Sequence, residues 1–183
     1  MVEQSRSWRL HGDGRLAFAA VAAEFTCFAA STSGTVRRHA APAWQLTLSW
    51  DGPVVATDDR GRVAAGPGLL IPPGLPTTFT RPDGGTRLWI DPHCLTLPAG
   101  RRVHELDRAQ VRTLLAAVDG GFELHALRRA VNGLFGPPAT VDPRLRQAVG
   151  LLCTGTELAA VAARVGVSPR RLRQLSAEAV GCP

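Results

Sequence analysis

Five residues near the C-terminus form the group whose side chains have the clearest chemical potential: Arg170, Arg171, Arg173, Gln174 and Ala177. On a helix with about 3.6 residues per turn, four of the five, all but Arg171, share the side opposite Leu172 and Leu175. Arginine can donate two hydrogen bonds to guanine, glutamine can do the same with adenine, and arginine also binds phosphate. The set predicts contact with DNA; the alternative is that these are only solvated helix positions.

Two predicted helices and a turn would position these side chains. Residues 157–165 have the composition of a short helix, and residues 169–180 predict a second one. Gly166 can adopt the left-handed backbone that the turn between them requires. Ser168 suits the N-cap of the second helix and Pro169 its first position. The pattern predicts a helix-turn-helix, and a plain helical hairpin is the alternative.

The excess positive charge is concentrated in the C-terminal part of the chain. All 21 basic residues are arginine, and the formal net charge is +6. Residues 101–183 hold 12 arginines against 7 acidic residues and so carry five of the six excess charges. A basic half indicates a polyanionic partner, unless the arginines merely decorate the surface.

Further residues extend the C-terminal pattern over about the last 42 positions. Asp142 and Pro143 open a helix, residues 165–172 read Val-Gly-Val-Ser-Pro-Arg-Arg-Leu, and residues 181–183 read Gly-Cys-Pro. Together these segments resemble the first half of the AraC-type DNA-binding domain, in which a long helix joins two helix-turn-helix units. Here the second unit is absent, and we expect a shortened form or a natural half-length protein that binds DNA weakly.

Before residue 100 the pattern is that of short β-strands separated by turns. Residues 44–50 alternate strictly, so that Trp44 and Trp50 share one strand face with two leucines. Residues 58–61, Asp-Asp-Arg-Gly, form a hairpin signal between two apolar segments. Three more short strands are predicted, at residues 69–71, 77–80 and 86–90. Strands of this kind predict a β-sandwich or a β-barrel.

Residues 66–77 resemble the second motif of the cupin barrel, a domain that often senses ligands in AraC-type regulators. Gly66, Pro72 and Gly74 match the motif, whereas Thr77 stands at its histidine position. His39 is the only candidate ligand where the first motif has two histidines and a glutamate. A metal site needs three or four converging ligands, so we expect no metal and no cofactor.

The two resemblances together imply an α+β protein. They imply an N-terminal cupin-like β-barrel in residues 1–100, a helical linker and dimerisation region in residues 101–140, and the C-terminal helix-turn-helix in residues 141–183. Aromatic walls with a few polar groups suit a small organic effector, although the aromatic residues could equally form the core. The candidate pocket residues are Arg38, His39, Trp44, Gln45, Trp50, Thr77, Phe79, Arg87 and Trp89.

Residues 106–118 and 122–134 carry apolar stripes at helical spacing. They predict two helices that form a homodimer; alternatively, both helices cap their own barrel. The most apolar stretch, residues 16–30, contains Glu24 and is too short to span a bilayer. With no clear signal peptide, we expect a cytoplasmic protein with no membrane partner, and we expect its four scattered cysteines to be free thiols.

These features predict a DNA-binding transcription regulator of the AraC type that senses a small-molecule effector and is not an enzyme. One alternative is a cupin enzyme or ligand-binding protein, with or without a metal. Another is a half-length regulator that pairs with full-length relatives and blocks them.

Overall fold

A computed structural model of the chain describes residues 6–12, 15–22, 25–30, 34–81, 84–95, 97, 102–118, 124–137, 142–152 and 155–180. The strands in these residues are β1 (Arg6–Gly12), β2 (Arg15–Ala22), β3 (Phe25–Ala30), β4 (Gly34–His39), β5 (Trp44–Ser49), β6 (Val54–Asp58), β7 (Val63–Gly66), β8 (Gly68–Ile71), β9 (Thr77–Arg81), β10 (Gly85–Ile90) and β11 (His104–Leu106). The helices are α1 (Arg108–Val118), α2 (Leu124–Phe135), α3 (Pro143–Leu152), α4 (Leu158–Arg164) and α5 (Pro169–Val180). A short 3-10 turn, Pro92–Cys94, follows β10.

The strands form two antiparallel sheets. The larger has seven strands in the order β1-β2-β3-β10-β5-β8-β11, and the smaller has four in the order β4-β9-β6-β7. We expected a closed barrel, but no ladder joins the two sheets within the described residues, so these strands form two open sheets. Because β11 pairs with β8, the strand region continues past residue 100.

The space between the sheets holds one cluster of buried apolar side chains. Leu69 and Ile71 of β8 enter it from the seven-stranded sheet, and Val54 of β6 and Phe79 of β9 enter it from the four-stranded sheet. Successive residues of a strand point to opposite faces, and Leu70 accordingly packs on the other side of the sheet. Strand β8 of the seven-stranded sheet is therefore covered on both faces.

Helices α1 and α2 cover that second face. Leu46 and Leu48 of β5 pack there with Leu114 of α1 and Leu127 of α2, and all four side chains are fully buried. The apolar stripes from which we predicted the homodimer therefore pack against the chain's own sheet. This is the arrangement of the alternative in which both helices cover their own barrel. The homodimer stays a prediction that the described residues do not support.

The last three helices share a core of their own. Leu145 of α3, Val161 of α4 and Leu172 of α5 are buried in one cluster. The N–H of Arg144 donates to Oδ1 of Asp142 at 2.8 Å, which caps α3 as the Asp-Pro pair predicts. None of the described helices is long and apolar enough to cross a membrane.

Candidate functional site

The turn between α4 and α5 has the backbone that its sequence predicts. Gly166 has a φ of +70°, in the left-handed region where glycine has no steric penalty. The N–H of Val167 donates to the carbonyl of Ala162 at 3.0 Å and closes the turn. The N–H of Arg171 donates to Oγ of Ser168 at 3.1 Å, so Ser168 caps α5. These bonds fix the direction in which α5 leaves the turn.

Helix α5 separates into a buried face and an exposed, basic face. Leu172 and Leu175 are only 2% and 6% exposed. The predicted DNA-contacting residues that are exposed are Arg170, Arg171, Arg173 and Gln174. Ala177 is half-buried and contributes less surface. Of the four residues that the helical period put on one side, Arg170, Arg173 and Gln174 are exposed, and Arg171, which the period left out, is exposed as well.

A carboxylate also lies on this exposed face. Nε2 of Gln174 donates to Oε1 of Glu178 at 2.9 Å, and Nη1 of Arg171 lies 3.3 Å from the same oxygen. Neither Arg170 nor Arg173 forms a side-chain hydrogen bond or ion pair with another described residue. Sequence reasoning missed Glu178, although its spacing of four residues from Gln174 is the signal for such a pair.

The candidate effector residues do not form one pocket. Gln45, Phe79, Arg87 and Trp89 lie together between the two sheets, where β10 pairs with β5 so that Arg87 faces Thr47 and Trp89 faces Gln45. Cζ of Arg87 lies 4.7 Å from the ring centroid of Phe79 and 5.5 Å from that of Trp89, within the range of cation–π attraction. These side chains pack against one another and form a contact between the two sheets, which we call the brace.

Trp44 and Trp50 lie on the opposite side of β5. Trp44 packs against the cluster beneath α1 and α2, and its Nε1 donates to the carbonyl of Pro92 at 3.2 Å. Trp50 is 45% exposed, and its Nε1 donates to Oγ1 of Thr86 at 3.2 Å. Strand alternation thus placed these two residues together correctly, but on the helix-covered face and not in the space between the sheets.

Arg38 and Thr77 line a cavity of about 320 Å³ at the end of β6. Arg38 is exposed and has a φ of +44°, next to the bulge that shifts β4 against β9 before His39. Asp58 also lines this cavity and accepts hydrogen bonds from the N–H groups of Arg60 and Arg62 and from Nε of Arg62. Burial alone raises the pKa of Asp58, but these bonds outweigh burial and leave its pKa below the ordinary value.

A second cavity, of about 500 Å³, lies between the turn after β5 and helix α1. Trp50 and Asp51 line it from the turn, and Arg108, Arg112 and Leu115 line it from the helix. Of the nine candidate effector residues, this cavity contains only Trp50. It is the larger of the two cavities and combines an aromatic side chain with two guanidinium groups.

The described residues contain no group of three or more His, Cys, Asp and Glu side chains that could hold a metal ion. The metal-free site stays a prediction. Burial lowers the pKa of His104, and the nearby charge of Arg102 lowers it further. Cys94 is buried and forms no disulfide with a described residue, whereas Cys153 and Cys182 lie outside the described residues.

No family model and no curated protein matches the chain. Among solved structures, apo ToxT K231A from Vibrio cholerae is 8% identical, and the match covers 88% of this chain and 77% of that one with a TM-score of 0.53. Wild-type ToxT with a bound unsaturated fatty acid, also 8% identical, matches 87% and 75% with a TM-score of 0.49. A cupin 2 conserved barrel domain protein from Salinispora arenicola is 14% identical and matches 49% and 76% with a TM-score of 0.33. Of these three, only the first likeness exceeds a TM-score of 0.5, and it shows a shared fold over most of this chain.

Proposed function

We propose that this chain is a DNA-binding transcription regulator of the AraC type whose cupin-like domain senses a small-molecule effector. The observation that carries the proposal is the exposed arginine and glutamine face of α5, presented by a capped turn above a buried three-helix core. The fold likeness to ToxT, an AraC-family regulator, supports this layout. The chemistry is reversible binding, with no covalent step.

In this proposal α5 enters the major groove and reads DNA from its exposed face. Arg170 and Arg173, which have no side-chain partner among the described residues, are available to guanine edges or to phosphate oxygens. Gln174 would have to leave Glu178 before its amide could pair with adenine. The cost of that exchange is small, since hydrogen bonds between exposed side chains contribute little.

The test begins with selection of bound sequences from a pool of random DNA duplexes, using the full 183-residue chain. Anisotropy titrations of the selected duplex then compare the unaltered chain with Arg173→Ala at low and physiological salt. We expect the variant to lose about 1–3 kcal/mol of binding free energy, the value of one bidentate contact to a base. Binding should also weaken with salt as counterions are released.

Arg129→Ala supplies the matched control, because Arg129 is an exposed arginine on α2 and its loss removes the same charge. The proposal predicts that this control binds the selected duplex almost as the unaltered chain does. If Arg173→Ala and Arg129→Ala lost equal binding free energy, α5 would contribute only general electrostatic attraction to DNA. Full binding by Arg173→Ala at physiological salt would show that another surface contacts DNA.

A further inference from the structure

The cavity of about 500 Å³ beside α1 has a basic side built on one helix face. Arg108 and Arg112 are four residues apart, so they lie one turn above the other, and both are exposed. Neither forms an ion pair with another described residue. Among the described residues that line the cavity, Asp51 is the only acidic one, so this part of the lining carries a net positive charge.

The basic character of this side comes from the two guanidinium groups and not from the helix end. The N–H groups of Ala109 and Gln110 donate to Oδ1 of Asp107 at 2.8 and 2.9 Å. The carboxylate of Asp107 therefore already occupies the first turn of α1. An anion in the cavity would be bound by Arg108 and Arg112.

Most of the remaining lining is apolar. Trp50 lines the cavity together with Val111 and Leu115 of α1, and the rest of the lining consists of Ser49, Gly52, Pro53 and Pro67. An indole that is 45% exposed beside two apolar side chains offers a flat surface that water solvates poorly. This wall suits a planar, apolar body.

The indole is held in place before any ligand arrives. Its Nε1 donates to Oγ1 of Thr86, and its ring lies so close to Gly84 that a Cβ there would come within 2.6 Å of Cε3. The turn that carries it is tied down as well, because Oγ of Ser49 donates to the carbonyl of Asp51 at 2.8 Å. A wall that is ordered in advance reduces the entropy lost on binding.

We propose that this cavity binds an organic carboxylate with a flat apolar body, whose carboxylate pairs with Arg108 and Arg112 while the body lies against Trp50. Its volume is within the roughly 300–1,000 Å³ of small-molecule sites. Only the identification of this ligand with the effector rests on the proposed function. The site is separate from the set of side chains packed between the sheets.

Calorimetric titration of the full chain with 2-naphthoate tests the proposal directly. The matched probes are 2-naphthamide, which has the same rings without the charge, and inorganic phosphate, which has the charge without the rings. We expect 2-naphthoate to bind and 2-naphthamide to bind at least about tenfold more weakly, since a hydrogen bond to a charged group contributes at least that factor. Inorganic phosphate should also bind at least about tenfold more weakly, because it has no rings to bury apolar surface against Trp50. Equal binding of either probe would overturn the proposal.

Variants then locate the site. Arg112→Gln should weaken 2-naphthoate by about tenfold or more, whereas Arg129→Gln, an equivalent change on α2, should leave its affinity unchanged. Trp50→Leu should also weaken binding, with thermal melting as the check that the fold persists. Failure of 2-naphthoate to bind at millimolar concentration, or full affinity in Arg112→Gln, would refute the site. These titrations contain no DNA, so their outcome does not decide the DNA-binding proposal, which has a separate test.

Discussion

The pair formed by Phe79 and Arg87 should act as a brace between the two sheets. Phe79 is 1% exposed, and the guanidinium of Arg87 lies 4.7 Å from its ring centroid. Phe79→Leu keeps an apolar side chain in the core but removes the ring beneath the cation, whereas Arg87→Met keeps most of the length of the side chain and removes its charge. A cation–π contact contributes about 0.5–1 kcal/mol in water and about 2 kcal/mol when desolvated. The burial of Phe79 favours the upper part of that range.

Urea denaturation of the unaltered chain, the two single variants and the double variant gives the interaction free energy. We expect the sum of the two single losses to exceed the loss in the double variant by about 1–2 kcal/mol, because either substitution alone already removes the contact. Pairing Phe79→Leu with Arg129→Met is the control, since Arg129 is an exposed residue of α2, and its losses should add. Additivity within about 0.5 kcal/mol for Phe79 and Arg87 would refute the brace.

Three further predictions concern single positions. Gly68→Ala should destabilise the chain by about 1–3 kcal/mol, because the new Cβ would lie 2.7 Å from Cγ2 of Val111. Gly133→Ala on α2 should instead raise the thermal midpoint, because nothing lies within 4 Å of the new Cβ and alanine favours the helix. A lower midpoint for Gly133→Ala would contradict the packing argument. Ser168→Ala should cost about 1 kcal/mol through the lost N-cap of α5, and Ser168→Asp should restore the melting temperature. The pKa of His104 lies below its ordinary value of 6.5 in the folded chain. The unfolded chain therefore binds the proton more readily, so stability is full above pH 6.5 and falls as the pH drops towards the folded pKa. His104→Gln should flatten that part of a pH–stability curve measured by urea denaturation, and an unchanged curve would refute the assignment.

The sequence was most informative where several local signals agreed. The cap at Ser168 and the 3.6-residue period marked the start and the exposed face of α5, and strict alternation marked β5. The first strands lacked such signals: half of the residues of β2 are alanine, and the strand shows no clear period. Strand β11 has three residues, too few for any period, and is defined by its pairing with β8.

The faces of the strands could not be assigned from the sequence, and this is why the nine candidate effector residues do not lie together. A period of two divides β5 into two faces but does not say what covers each face. Because α1 and α2 cover one face and the four-stranded sheet lies over the other, Trp44 and Gln45 have different surroundings although they are neighbours. The cavity beside Trp50 depends on where α1 packs, which no short stretch of sequence records.

Strand β5 is buried on both faces, and this has a consequence for misfolding. A shift of one residue against β10 would turn Leu46 and Leu48 towards the four-stranded sheet and would press Gln45 and Thr47 against α1 and α2. Gln45 and Thr47 would move together and keep the 3.3 Å hydrogen bond between them, so the penalty, about 1–3 kcal/mol for each unpartnered polar group, comes from burying their remaining polar atoms among apolar side chains. A strand with one solvated face would incur only part of this penalty. For β5, both the contacts with the four-stranded sheet and the contacts with α1 and α2 disfavour the shifted register. A folding intermediate with the shifted register would therefore not be stable.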